Sequence, residues 1–118
     1  MVARIRPSNH FCCMAKKRAY LIHGWGGTST NGFKPWLKKQ LEKHGYEVHV
    51  PACPFTGRPT IESWIPFLLK EIPDPDEHTI LVGHSLGCMA LFLYLQELPQ
   101  GSRVHTLACV AGVFGDIT

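Results

Sequence analysis

Short apolar runs that stop at glycine or proline alternate along this chain with longer stretches whose apolar residues recur every three or four positions. The first run, Ala19-Tyr20-Leu21-Ile22-His23, halts at Gly24, and the second, Tyr46-Glu47-Val48-His49-Val50, ends at Pro51. Thr79-Ile80-Leu81-Val82 and the stretch from His105 to Val113 complete the set. Runs of this length and composition predict strands. Unbroken apolar character in the first, third and fourth predicts strands covered on both faces.

Between the first two runs, Phe33, Leu37 and Leu41 recur at a spacing of four with Trp36 beside them, which lays one apolar stripe along a helix. Pro35 is tolerated in its first turn. Lys43 and His44 suit the negative end of the helix dipole, and Gly45 supplies a stop. The second helical stretch carries Trp64, Ile65, Phe67, Leu68 and Leu69. Pro66 cannot sit deep in a helix without losing a hydrogen bond, so Ser63 is the expected N-cap; a start at Thr60 with a kink is the alternative. Pro73-Asp74-Pro75-Asp76 reads as a stiff polar loop. The third helix, about Leu86 to Leu98, is apolar nearly all round and is therefore expected to be buried. Four strands alternating with three helices define an α/β domain with a parallel sheet.

Composition narrows the function classes. At 118 residues, with 45% hydrophobic and 18% charged residues, the chain is one small globular domain. No apolar run approaches the roughly 20 residues of a membrane helix. The formal charge of +3 is too mild to imply nucleic acid. No Asp or Glu precedes Glu42, and an acid-free, Arg-bearing N-terminus can be a transit peptide. Pro7, the Cys12-Cys13 pair and the missing amphipathic period speak against that. Met14 reads as a natural start, with residues 1–13 an upstream extension; without Arg4 and Arg6 the balance is 10 basic to 9 acidic residues. Residues 1–17 are expected to be a disordered basic extension and 18–118 an incomplete domain. Five cysteines without a secretory leader or a Cys-x-x-Cys pair suggest neither a disulfide framework nor a zinc ribbon. His49 and Cys53 alone would not make a metal site. The expected compartment is the cytoplasm.

The chemistry is concentrated in two glycine-bearing elements. Gly83-His84-Ser85-Leu86-Gly87 is a Gly-x-Ser-x-Gly sequence with a strand before it and a helix after it, the setting of a nucleophile elbow. There the serine sits on a sharp, strained turn, and bulk two residues to either side would clash. The turn also puts Ser85 at the positive end of the following helix, where developing negative charge is favoured. A tight turn with glycines for packing alone is the plainer alternative. The second element, His23-Gly24-Trp25-Gly26-Gly27, directly follows the first strand. Acyl transfer generates an oxyanion that needs preorganised backbone donors. Leu86, after the nucleophile, would give one N–H, and Trp25 the other, with Gly24 next in line. A phosphate-cradling role is weak without Gly-x-Gly-x-x-Gly or a Lys-Ser/Thr pair.

Together these two elements resemble the α/β-hydrolase superfamily, and more narrowly the small single-domain serine hydrolases of the retinoblastoma-binding-protein type. Pro51, Pro54, Pro59 and Trp64 match the proline-rich approach to the second helix in that group. The resemblance runs from Arg18 to about Gly112. It implies an α/β-hydrolase-like three-layer parallel sheet, Ser85 as nucleophile, and Leu86 and Trp25 as oxyanion donors. It does not extend to binding retinoblastoma protein, because no Leu-x-Cys-x-Glu motif is present.

In that superfamily the acid and then the histidine follow the nucleophile in chain order. After Ser85 the only histidine is His105, which heads the last strand and so lies at the wrong edge of a parallel sheet. Asp116 follows the far end of that strand and is the candidate acid. His84 should point away from the hydroxyl, His23 should hold the glycine loop, and His10, His44, His49 and His78 read as solvated or packed. Loss of the histidine alone costs a triad enzyme on the order of a million-fold in turnover. A bare apolar last strand also invites aggregation, so the chain reads as a sheet truncated after its fourth strand.

Two functional readings follow. The leading one is a serine hydrolase acting on small-molecule esters or amides through Ser85, crippled in this chain by the absent histidine and acid. The alternative is a catalytically inactive protein-interaction module on a partial hydrolase fold. Nucleic-acid binding through Lys34, Lys38, Lys39 and Lys43 competes with a simpler solvated helix face. No metal, organic cofactor, membrane or particular protein partner is implied.

Overall fold

A computed structural model of the protein describes residues 16–110 apart from 25, 26, 29, 31 and 56. The elements run β1 (Arg18–Ile22), α1 (Lys34–Lys43), β2 (Glu47–His49), α2 (Ile61–Glu71), β3 (Thr79–His84), α3 (Leu86–Gln96) and β4 (Thr106–Val110). All strand pairs are parallel, in the order β2-β1-β3-β4. The register sets Tyr20 beside Leu81, Ile22 beside Gly83, and Gly83 beside Cys109.

Parallel crossovers are almost always right-handed. The step from β1 out to β2 runs one way along the sheet, and the steps from β2 to β3 and on to β4 run the other way. That rule places α1 on one face and α2 with α3 on the opposite face. Packing agrees: Tyr20, Ile22 and Leu81 share one buried cluster with Trp64 and Leu68 of α2 and Ala90, Leu91 and Tyr94 of α3. The Tyr94 hydroxyl donates to the Ile72 carbonyl at 2.7 Å, clamping α3 to the end of α2. Ala19 and Leu21, which alternate with that set along β1, are also fully buried. β1 is thus covered on both faces, as its sequence predicts. The α/β fold with helices on both sides of a parallel sheet is the one expected.

Local chemistry explains the helix ends. Pro35 sits in the first turn of α1, and Gly45 follows its end at φ +89°, a conformation glycine takes without penalty. The start of α2 differs from the expected Ser63. Thr60 is the N-cap, its Oγ1 accepting the Ser63 N–H at 3.1 Å, and Pro66 lies inside the helix. The start at Thr60 is possible because Pro66 and Glu62 are both exposed, so the carbonyl deprived of a donor lies on the solvent side.

Four further expectations change. Trp36 is 64% exposed and stands off the α1 stripe. Lys34, expected on a solvated face, is 1% exposed; it shares the buried side with Leu37 and Leu41 at helical spacing. Phe92 is exposed on α3, which is buried on the sheet side rather than all round. Cys109 and Val110 are exposed at the end of β4, so that strand is not covered on both faces. The predicted continuation to Val113 lies outside the described residues.

Candidate active site

The strand order reverses between β1 and β3: the chain leaves β1 toward one face and β3 toward the other. Such a switch point opens a crevice at the carboxyl ends of the two strands. The glycine loop after β1 and the Ser85 turn after β3 flank that crevice.

Ser85 has φ +54° and ψ −120° and is the N-cap of α3. A serine in this left-handed region is strained, and strain persists only where the surroundings impose it. They do so here through backbone bonds. The Ser85 N–H donates to the Val110 carbonyl at 2.9 Å, extending the β3–β4 ladder into the turn, and the Ser85 carbonyl accepts from the Cys88 N–H at 3.0 Å. The flanking glycines make the sharp turn sterically feasible. A Cβ on Gly83 would lie 2.8 Å from Cys88 backbone atoms, and one on Gly87 would strike the Ile22 carbonyl and come within 2.7 Å of the His23 carbonyl oxygen. Glycine at 87 therefore lets α3 start directly against the end of β1.

Gly24 closes the arrangement. A Cβ there would lie 3.0 Å from the Ser85 Cβ and 3.5 Å from the Leu86 nitrogen. As first residue of α3, Leu86 has an N–H with no partner inside the helix. Gly24, Ser85 and Leu86 are thus brought together. Trp25 and Asp116, the other predicted site residues, lie outside the described residues.

His23 holds the glycine loop from behind. It is fully buried; its Nδ1–H donates to the Gly24 carbonyl at 2.9 Å, and its Nε2 accepts the Cys53 N–H at 2.9 Å. Both ring nitrogens are engaged, which fixes the neutral Nδ1–H form and leaves no lone pair for a serine proton. Burial pushes its pKa below the usual histidine value; the Gly24 bond opposes this and the nearby Lys34 charge adds to it. Trp64 packs edge-on against the ring at 5.5 Å. His84 meets the Phe33 ring edge-on at 5.3 Å.

Three other described histidines, His44, His49 and His105, have partners elsewhere. His105 lies beside Thr106 at the start of β4, while Ser85 bonds to Val110 at its end, roughly 16 Å away at strand rise. His44 pairs with the Gln40 carbonyl and His49 with Glu47. Among the described residues no histidine is hydrogen-bonded to Ser85. The two buried thiols are poor rivals as nucleophiles: burial pushes Cys53 up to about 12 and Cys88 up to about 11. Among the described residues no group of three or more His, Cys, Asp or Glu could hold a metal. No described helix is long and apolar enough to cross a membrane.

Sequence reasoning missed two parts of this site. The His23–Cys53 bond links loops 30 residues apart, and no local pattern announces it. Burial of Lys34 did carry a signal, because Lys34, Leu37 and Leu41 follow the i, i+3, i+7 spacing of one helix face.

A family model described as serine hydrolase matches residues 19–116. The chain is 35% identical over 96 residues to the Bacillus subtilis (strain 168) protein named "Putative hydrolase YdeN", covering 81% of this chain and 50% of that protein. It is 32% identical over 105 residues to the serine hydrolase RBBP9 of Rattus norvegicus, covering 85% and 53%. The crystal structure of the B. subtilis ydeN gene product matches with a TM-score of 0.77 at 35% identity, over 82% of this chain and 52% of that one. The chain belongs to the serine hydrolase family, and it spans about half the length of the relatives it matches.

Proposed function

We propose that the protein hydrolyses small-molecule esters or amides through Ser85. The supporting observation is the strained Ser85 turn at the start of α3 with Gly24 packed against its Cβ and beside the Leu86 nitrogen. In this reading the Ser85 Oγ attacks the scissile carbonyl, and its proton passes to a base and then to the leaving alcohol or amine. The oxyanion accepts hydrogen bonds from Leu86 N–H and from a loop N–H, Trp25 first and Gly24 next. Water then cleaves the acyl-serine and restores the hydroxyl. The chemistry draws on side chains and backbone donors alone.

Among the described residues no histidine is hydrogen-bonded to Ser85 to act as its base. His23 is fully engaged, His105 is at the far edge of the sheet, and Asp116 is the candidate acid in this stretch. Turnover by the 118 residues alone is therefore slow, on the order of a thousand-fold above the uncatalysed rate. A test is release of p-nitrophenol from its butyrate ester by this chain and by Ser85→Ala. The expected result is slow release above buffer that Ser85→Ala abolishes. Equal rates from both would overturn the reading. The second reading, an inactive interaction module, draws on the distance between Ser85 and His105.

A further inference from the structure

Phe55 follows β2, so its loop stands at the same sheet edge as Gly24 and Ser85. It is 71% exposed, and its φ of +52° lies in the left-handed region, where an aromatic residue is a rare outlier and glycine would sit freely. The backbone on either side is pinned. Cys53 donates its N–H to His23 Nε2 at 2.9 Å, Trp64 Nε1–H donates to the Pro54 carbonyl at 2.6 Å, and Arg58 N–H donates to the Phe55 carbonyl at 2.8 Å. The same His23 ring holds Gly24, which packs on Ser85. A rigid frame therefore joins the nucleophile's neighbour to a strained backbone that turns an apolar ring into solvent. Neither the strain nor the exposure favours folding, and such features gather where a ligand is handled.

We propose that Phe55 is an apolar wall of the acyl-chain site, selecting medium-length acyl esters over acetyl esters. The acyl group is the part of the substrate held through both half-reactions, so a wall fixed to the oxyanion loop acts on it throughout. The proposal rests on the reading of Ser85 as nucleophile.

The test compares p-nitrophenyl octanoate with p-nitrophenyl acetate, keeping the leaving group constant, in the unaltered chain, Phe55→Ala, Phe55→Leu and Phe55→Gly. Phe55→Ala is expected to lower kcat/KM for octanoate about tenfold while leaving acetate within about twofold. Phe55→Leu should keep most of the preference. Phe55→Gly, which relieves the backbone, should lose the preference while its Tm stays level or rises, separating selectivity from folding. If Phe55→Ala treats both esters as the unaltered chain does, or lowers both equally, the proposal fails and the Ser85 reading stands. If the unaltered chain neither turns over an ester nor labels at Ser85 with a fluorophosphonate, both fail together.

Discussion

Gly24 and Ser85 are in such close contact that a single added methyl group on Gly24 would come within 3.0 Å of the serine Cβ. The same methyl would lie 3.0 Å from the His84 carbonyl oxygen. Both neighbours are fixed, one by its bond to Val110 and the other by the end of β3, so the loop would have to give way. Gly24→Ala is expected to lower kcat by about ten- to a hundred-fold through displaced donors. Its stability cost should be near 1 kcal/mol, so ester turnover and urea denaturation together check it. Full activity with lost stability would reduce Gly24 to a packing role.

Gly87 faces backbone on β1 rather than a movable side chain. Gly87→Ala should therefore destabilise the fold by about 1–3 kcal/mol, as overpacking does, or more if α3 must shift. The urea midpoint of the variant is the measurement. An unchanged midpoint would mean that α3 does not start against Ile22 and His23 in solution.

How far the sequence could be read follows from where the forces act. The alternation of apolar runs and stripes carried the sheet, its helices and the Ser85 turn, because period and punctuation are local. Thr60 was harder: choosing it over Ser63 needed the knowledge that Pro66 faces solvent, which depends on packing. Lys34 was misread as solvated because its charge outweighed its spacing. The His23–Cys53 bond and the strained Phe55 were invisible, since both arise from chain segments meeting across the sheet edge.

The capping assignment has its own test. Thr60→Ala removes the acceptor for Ser63 N–H and should cost about 1 kcal/mol. Ser63→Ala leaves that backbone cap bond in place, removing only the hydroxyl's solvent-side bonds with the Thr60 hydroxyl and carbonyl, and should cost a few tenths of a kcal/mol. Thermal unfolding of the two variants distinguishes them, and the reverse order would restore Ser63 as the cap.

His23 gives the fold a pH dependence of definite sign. Its folded pKa lies below the unfolded value, so near and below about pH 6.5 the unfolded chain binds the extra proton first. Stability from the neutral buried ring is full above that pH and is lost as pH falls from the unfolded toward the folded pKa. The slope contributed is at most about 1.4 kcal/mol per pH unit. Urea midpoints from pH 7.5 to 5 should fall, and His23→Gln should flatten that fall. An identical slope in the variant would place the titrating group elsewhere.

The most direct measurement is covalent. The chain and its Ser85→Ala variant are incubated for hours with an excess of a fluorophosphonate and read by intact mass and peptide mapping. The expected result is one phosphonyl adduct, with loss of fluoride, on the peptide bearing Ser85 and none on the variant. An unlabelled chain, or an adduct mapped to another residue, would contradict the assignment of Ser85 as the nucleophile.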